Sequence, residues 1–88
     1  MKEKSITVRW KEGLHARPAA RLVQRAKTFK ATIELKYRGN VANARSIISI
    51  LLLCATLGST INIEISGEDE EQAMEAIEAA FNEQETGP

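Results

Sequence analysis

The sequence predicts an α+β fold in which a four-stranded antiparallel sheet is covered on one face by three helices, an open-faced sandwich. Segments with alternating apolar residues are interspersed with segments of helical spacing, in the order β-α-β-β-α-β-α. Each strand is apolar only at alternate positions, so its other face should meet solvent. The 88 residues suffice for one core. We therefore expect a single domain over residues 1–88, with the last strand inserted between the first two.

The first predicted elements are a strand and a helix. Ile6, Val8 and Trp10 alternate with polar residues, as is typical of a half-buried strand. From Ala16 onward the apolar residues take helical spacing, namely Ala19, Leu22, Val23, Ala26 and Phe29.

A hairpin and a short helix are predicted next. Ile33, Leu35 and Tyr37 have period two, and "RGN" at 38–40 gives a tight-turn signal before a partner strand. The apolar run after Ser46 is short enough to be either strand or helix. Ser46 as an N-cap and Gly58 as a stop favour a helix of two to three turns.

The last strand and helix carry the strongest pattern. Ile61, Ile63 and Ile65 alternate with polar residues. After Gly67, the acidic run "EDEEQ" indicates a helix N-terminus, because the helix dipole favours negative charge there. The inner stripe of this helix comprises Ala73, Ile77, Ala80 and Phe81.

Composition favours a soluble cytoplasmic protein. The chain has 43% hydrophobic and 27% charged residues, as ordinary globular proteins do. The single cysteine, Cys54, cannot form an internal disulfide, which favours a reducing compartment. The start "MKEKSITVRW" lacks the apolar core of a signal peptide, and the longest apolar run is less than half of a membrane span. We expect no membrane insertion.

The net charge of zero conceals a division along the chain. All twelve Lys and Arg lie in residues 1–45 with three Glu, whereas residues 46–88 hold nine acidic residues and no basic one. A basic face that attracts an acidic partner is one interpretation. Mutual neutralisation in the folded chain is the other. Nucleic-acid binding is not expected, because the basic residues are spread over several elements and aromatic residues are few.

The stretch "GLHARPAARLVQ" at 13–24 suggests an anion site. His15 is the only histidine and stands just before the predicted helix, so the amide groups of Ala16 and Arg17 have no partner within it. Pro18 falls in the first turn, where its missing N–H costs nothing. A phosphoryl group on the imidazole would meet these amides and the Arg17 guanidinium, which can hold two phosphate oxygens. This arrangement supports nucleophilic catalysis through a phosphohistidine.

The residues alone leave other interpretations of His15 to be weighed. A surface or capping residue is the ordinary role of a histidine at such a position. A metal site is not expected, because there is no second histidine and only one cysteine. The spacing also shows no arrangement of carboxylate, histidine and serine for hydrolase chemistry.

Three stretches resemble HPr, the histidine-containing phosphocarrier family of the sugar phosphotransferase system. They are "GLHARPAARLVQ" at 13–24, "ARSIISILLL" at 44–53 and "ISGEDEEQAMEAI" at 65–77. The resemblance covers nearly the whole chain and implies the open-faced sandwich of four strands and three helices. It also implies that His15 accepts a phosphoryl group from phosphorylated enzyme I, which phosphoenolpyruvate charges, and passes it to enzyme IIA. Arg17 would contact that group.

The resemblance also implies a regulatory site and a docking surface. Ser46 matches the position that an HPr serine kinase phosphorylates in many members, although a plain helix cap is the ordinary alternative. Ile47, Ile48 and Leu51 match an apolar patch that docks against partner proteins, and part of this run must instead be core. We expect this chain to act without a cofactor or metal, as a monomeric phosphocarrier rather than as a stand-alone enzyme. A regulatory HPr-like module that acts through Ser46 is the second functional hypothesis, and a structural adaptor is the third.

Three residues depart from the family pattern. Ser49 and Cys54 stand where glycine is common, and a side chain at position 54 would narrow the space around Arg17. Glu12 places a carboxylate near the phosphoryl site, where it repels phosphate. An ion pair between Glu12 and Arg17 in the unphosphorylated state is the alternative arrangement.

Overall fold

The computed structural model describes residues 1–83, which contain four strands and three helices in the predicted order. The elements are β1 (Lys2–Thr7), α1 (Ala16–Ala26), β2 (Thr32–Tyr37), β3 (Asn40–Asn43), α2 (Ile47–Leu51), β4 (Thr60–Ser66) and α3 (Glu70–Asn82). The strands form one antiparallel sheet in the order β1-β4-β2-β3. The insertion of β4 between β1 and β2 is thus confirmed.

Alternation along the central strand β4 separates the core from the open face. Ile61, Ile63 and Ile65 are fully buried and pack with side chains of the helices, among them Leu22, Ile77 and Phe81. The polar residues between them lie on the uncovered face. No helix within residues 1–83 is both long and apolar enough to cross a membrane.

The open face carries a row of three like charges. Glu3, Glu64 and Glu34 lie side by side on β1, β4 and β2, and opposed like charges destabilise a sheet. Lys36 offsets this, because its ammonium group pairs with the Glu64 carboxylate. This hydrogen bond, with the Coulomb attraction of the same carboxylates, raises the pKa of Lys36 above its usual range.

Several predicted boundaries were wrong. Strand β1 ends at Thr7 although Val8 and Trp10 are buried. The ladder stops there because the Ser59 amide donates to the Thr56 carbonyl, at 3.0 Å, and not to the Val8 carbonyl opposite it. Helix α1 ends at Ala26, so the half-buried Phe29 packs on the core from the following loop.

Helix α2 is also shorter than predicted. It ends at Leu51 after five residues, and Gly58 is not its stop. Cys54 turns the chain with a φ of +55° shortly after the helix. Gly58 instead donates its amide to the carbonyl of Val8, at 2.9 Å.

Folding brings the basic and acidic parts of the chain together. Lys2 pairs with Glu71 and Lys4 with Glu78, which fasten β1 to α3. Arg21 and Arg25 of α1 both contact the Glu83 carboxylate at the end of α3. These ion pairs join basic residues of the first part of the sequence to acidic residues of the second part on neighbouring elements.

The loop between β1 and α1 is held by contacts with the end of α3 and with the segment between α2 and β4. The Trp10 ring stacks on Phe81 at 5.3 Å between centroids, and its Nε1 donates to the Glu83 carbonyl at 2.8 Å. The amide of buried Leu14 donates to the carbonyl of Ala55, at 2.9 Å. Gly13, with φ +75°, permits this approach, since a Cβ there would meet the Ala55 carbonyl and lie 2.9 Å from the Cα of Thr56.

Asp69 fastens the start of α3 to the loop after α1. Its carboxylate accepts the amide protons of Lys30 and Ala31, at 2.8 and 2.9 Å. The hydrogen bond from the Lys30 amide, followed by that from Ala31, holds the pKa of the Asp69 carboxyl below its usual range. This carboxylate is therefore part of what stabilises the fold above acidic pH.

Substituting Gly13→Ala should destabilise the fold by about 3 kcal/mol, because the methyl group meets backbone atoms and the residue keeps a positive φ. Gly58→Ala is the matched control, since its φ of +89° is similar but no atom lies within 4 Å of a new Cβ. The control should lose only about 1 kcal/mol. Urea unfolding measures both, and equal losses would contradict the close-approach explanation.

Substituting Asp69→Ala should lower the melting temperature at neutral pH. A lowered pKa in the folded state gives stability that is present above the unfolded-state pKa and is lost as pH falls through the folded-state pKa. The difference between wild type and variant should therefore shrink below about pH 4. Thermal denaturation followed by circular dichroism at several pH values checks this, and a pH-independent difference would refute the assignment.

Candidate functional site

His15 is the N-cap of α1, as predicted. Its backbone is extended, with φ −90° and ψ −171°, and its carbonyl accepts the amide proton of Ala19 at 3.0 Å. The imidazole makes no capping hydrogen bond to the helix. The side chain of the only histidine is thus held at the positive end of the helix dipole without serving as its cap.

The first turn of α1 provides backbone donors beside His15. Ala16 and Arg17 are its first two residues, so their amide groups lie before the first internal hydrogen bond of the helix. Pro18, the third residue, is buried and has no amide hydrogen to leave unpaired. The Arg17 side chain is exposed, and no carboxylate within residues 1–83 forms an ion pair with it.

The two imidazole nitrogens of His15 have different surroundings. Nε2 is buried, whereas Nδ1 lies 3.9 Å from Oε2 of Glu12. The His15 side chain as a whole is 28% exposed and that of Glu12 is 76% exposed. Glu12 therefore lies beside His15 in this structure, and the alternative pairing with Arg17 was wrong.

Cys54 belongs to the segment against which the His15 loop packs. Its φ of +55° explains why glycine is common at this position, since glycine adopts that conformation without steric cost. The thiol is exposed and lies 3.7 Å from the carbonyl oxygen of Leu51. The structure thus shows its contact with α2 and gives no contact with Arg17.

Ser46 is the N-cap of α2, as predicted. Its Oγ accepts the amide proton of Ser49 at 3.2 Å. The Ser49 hydroxyl in turn accepts the amide proton of Asn43, at 3.0 Å, and so fastens α2 to β3. Ser49 therefore has a structural contact of its own at a position where the family commonly has glycine.

The apolar run of α2 is divided between core and surface. Ile50 and Leu53 are buried, Ile47 and Leu51 are half-buried, and Ile48 is 63% exposed.

Two further leucines are exposed after α2. Leu52 is 73% exposed and Leu57 is 57% exposed, and neither was singled out from the sequence. Leu52 lies four residues after Ile48, a spacing that places the two side chains on the same side of a helical turn and would have indicated it. Leu57 lies in a loop, for which the sequence pattern gave no signal. We refer to Ile47, Ile48, Leu51 and Leu52 as the α2 patch.

No group of metal-ligating side chains that could hold an ion is found within residues 1–83. The groups that lie at the N-terminus of α1 are the imidazole of His15, the backbone amides of Ala16 and Arg17, the Arg17 guanidinium and, beside Nδ1, the Glu12 carboxylate.

Comparisons with known proteins agree with this geometry. The family model described as "PTS HPr component phosphorylation site" matches residues 2–83. The phosphocarrier protein HPr of Xylella fastidiosa (strain Temecula1) is 43% identical over 81 residues, which cover 92% of this chain and 91% of that protein. The HPr-like protein Crh of Halalkalibacterium halodurans is 45% identical over 85 residues, covering 97% of this chain and all of that one.

A solved structure supports the same assignment. The crystal structure of HPr-C-His from Thermoanaerobacter tengcongensis superposes with a TM-score of 0.86 at 39% identity, over 94% of this chain and 98% of the other. The open-faced sandwich predicted from the sequence is thereby confirmed. With the family model spanning almost all of the described residues, the chain belongs to the HPr family.

Proposed function

We propose that this chain is a phosphocarrier that accepts a phosphoryl group on His15 from phosphorylated enzyme I and passes it to enzyme IIA. The observation that carries the proposal is the position of the imidazole at the N-terminus of α1, next to the amide groups of Ala16 and Arg17. Amide donors and a helix dipole favour a dianionic group at this point. The family assignment supports the same partners.

Nδ1 of His15 is the acceptor atom in this proposal. Nε2 is buried, so a donor protein would have to displace surrounding atoms to reach it. A nucleophilic Nδ1 needs its lone pair, so the reactive neutral ring carries its proton on Nε2. The Nδ1 lone pair forms the new P–N bond while the bond between phosphorus and the donor breaks. The donor keeps that electron pair, and no water takes part.

Arg17 stabilises the transferred group. Its exposed guanidinium can turn toward a phosphoryl group on Nδ1 and present two N–H donors to two oxygens. In the transition state the charge spreads over the three equatorial oxygens of the phosphoryl group, and donors aimed at those oxygens stabilise it, which accelerates transfer. The amides of Ala16 and Arg17 supply the remaining contacts.

The proposed setting is a cytoplasmic one in which the chain acts as a single-domain monomer. The α2 patch would dock against enzyme I and enzyme IIA, because its exposed Ile48 and Leu52 give an apolar contact area. The segment that follows α2 is hydrogen-bonded to the loop that carries His15, through the Ala55 carbonyl and the Leu14 amide.

With enzyme I and phosphoenolpyruvate, the wild-type chain should gain the mass of one phosphoryl group, and mild acid should remove it. His15→Ala should gain nothing, because the acceptor nitrogen is absent. Intact-mass spectrometry before and after acid treatment makes the measurement. Labelling of His15→Ala, or no labelling of wild type, refutes the proposal.

Arg17→Lys should retain labelling but at a rate at least about tenfold lower, since lysine lacks the planar fork of the guanidinium. Arg38→Lys in the β2–β3 turn is the control and should not change the rate.

A regulatory role through Ser46 is the second candidate function. Its support is the position of the Ser46 hydroxyl at the N-terminus of α2, directly before the α2 patch, together with the similarity to an HPr-like protein Crh. An HPr serine kinase that phosphorylates this hydroxyl would add about two negative charges beside apolar docking residues. The helix dipole tolerates that charge, so the fold would persist while docking weakens.

Substituting Ser46→Asp should weaken phosphoryl transfer from enzyme I and leave the melting temperature nearly unchanged, because aspartate also caps a helix. Ser46→Ala should do the opposite, losing about 1 kcal/mol of stability without weakened docking. Ser5→Asp on the open face of the sheet is the control for added charge. Enzyme I kinetics and thermal denaturation separate these effects, and equal transfer by Ser46→Asp and wild type would count against regulation through docking.

A further inference from the structure

We propose that Glu12 destabilises the phosphorylated form of His15 and thereby makes this chain a stronger phosphoryl donor. The inference rests on the proposed function and deepens it, since it assigns a role at the same site to a residue outside the phosphate-binding groups. Glu12 acts through the charge of the group on His15 and takes no part in bond formation. It is a positioning residue, whose negative charge changes the free energy of the phosphorylated form of His15.

The first support is the side of the ring on which Glu12 lies. Its Oε2 is 3.9 Å from Nδ1 of His15, while Nε2 is buried. A phosphoryl group bonded to Nδ1 would therefore project from the same edge of the imidazole that faces Glu12. Its oxygens and the carboxylate would then be two anions within a few ångströms of each other.

The second support is the rigidity of the turn that carries Glu12. The amide of Gly13 donates to the Trp10 carbonyl and the amide of Leu14 to the Ala55 carbonyl, both at 2.9 Å. The His15 amide donates to the Gly13 carbonyl, also at 2.9 Å. The backbone on both sides of Glu12 is thus fixed, and only rotation of its side chain can increase the separation from a phosphoryl group.

The exposure of Glu12 sets the size of the effect. Two unit charges about 4 Å apart in a water-like medium repel each other enough to change an equilibrium by about fivefold. The phosphoryl group carries up to two charges, but rotation of the Glu12 side chain lengthens the separation, so about fivefold is the expected size. The Glu12 side chain is 76% exposed, so the high dielectric constant of water is the appropriate one for this repulsion. The repulsion should also be screened by salt, because the Debye length at high ionic strength is shorter than the separation of the charges.

The repulsion acts oppositely on the two halves of the carrier cycle. It disfavours the exchange in which the phosphoryl group leaves enzyme I and joins Nδ1. It favours the exchange in which the P–N bond breaks and the group joins enzyme IIA. Because the phosphorylated state alone is destabilised, both equilibria should shift by the same factor in opposite directions.

The test is a competition between wild type and Glu12→Gln for one phosphoryl pool. Equal amounts of isotope-labelled wild type and unlabelled variant are equilibrated with catalytic enzyme I and limiting phosphoenolpyruvate, and intact masses give the phosphorylated fraction of each. The phosphorylated-to-free ratio of the variant should exceed that of wild type about fivefold at low salt, and the two should converge at about 1 M salt. Equal ratios at low salt would overturn the proposal.

Glu68→Gln is the matched control. It removes the same charge from an exposed position beside Asp69, which contacts the residues after the C-terminus of α1. Helix α1 spans about 16 Å at 1.5 Å per residue, so this control lies at the end opposite to His15 and should give a ratio of one. Glu12→Asp, which keeps the charge on a shorter side chain, should fall between wild type and Glu12→Gln. If Glu68→Gln gives the same shift as Glu12→Gln, net charge is the cause and the proposal fails.

A second measurement keeps the inference separate from the proposed function. If enzyme I labels neither protein, the phosphocarrier proposal fails, and inorganic phosphate then serves as the probe. Its titration is followed by nuclear magnetic resonance at the amides of Ala16 and Arg17. Glu12→Gln should bind phosphate about fivefold more tightly than wild type. Equal binding, or no binding by the variant, would overturn the role of Glu12 independently of any transfer.

Discussion

The hydrogen bond from the Leu14 amide to the Ala55 carbonyl is the constraint on which the site depends. It joins the residue before His15 to the segment between α2 and β4, at 2.9 Å. One such bond contributes only about 1 kcal/mol, but it forms only if Gly13 takes a positive φ and lets the two backbones touch. Leu14 is buried at this junction. The direction in which α1 leaves the loop, and hence the position of its N-terminus, follows from this contact.

The last helix secures the same loop from the other side. Trp10 stacks on Phe81 of α3 and donates to the Glu83 carbonyl, while the Glu83 carboxylate contacts Arg21 and Arg25. The start and the end of the described chain therefore meet beside the site. The ion pairs of Glu83 thus act together with the packing of Trp10 on Phe81 to hold α1, α3 and the loop before α1 together.

Periodicity sufficed to predict the fold but not the loops that build the site. The isoleucines of β4 alternate strictly, and burial on one face of a sheet follows from that alternation alone. Ser46 and His15 were recognisable as caps because a cap is specified by residues next to it in sequence. Val8 and Trp10 are buried as their alternation predicted, but the strand was extended too far through them, since the contacts that end it are distant in sequence. The turn at Cys54 has no signature in the pattern, because its positive φ is not specified by residue type. The position of Glu12 beside Nδ1 likewise arises from the turn around Gly13.

The requirements of a carrier explain why the site combines attraction with repulsion. A phosphoryl group that received the helix dipole, two amides and a guanidinium without opposition would be held strongly and leave slowly. The Arg17 guanidinium is exposed to water, and the carboxylate of Glu12 lies on the Nδ1 side of the His15 ring. Binding energy that is equal in the bound state and the transition state does not accelerate departure. An opposing charge that acts on the phosphorylated state is one way for a rigid scaffold to keep its cargo transferable without changing the groups that orient it.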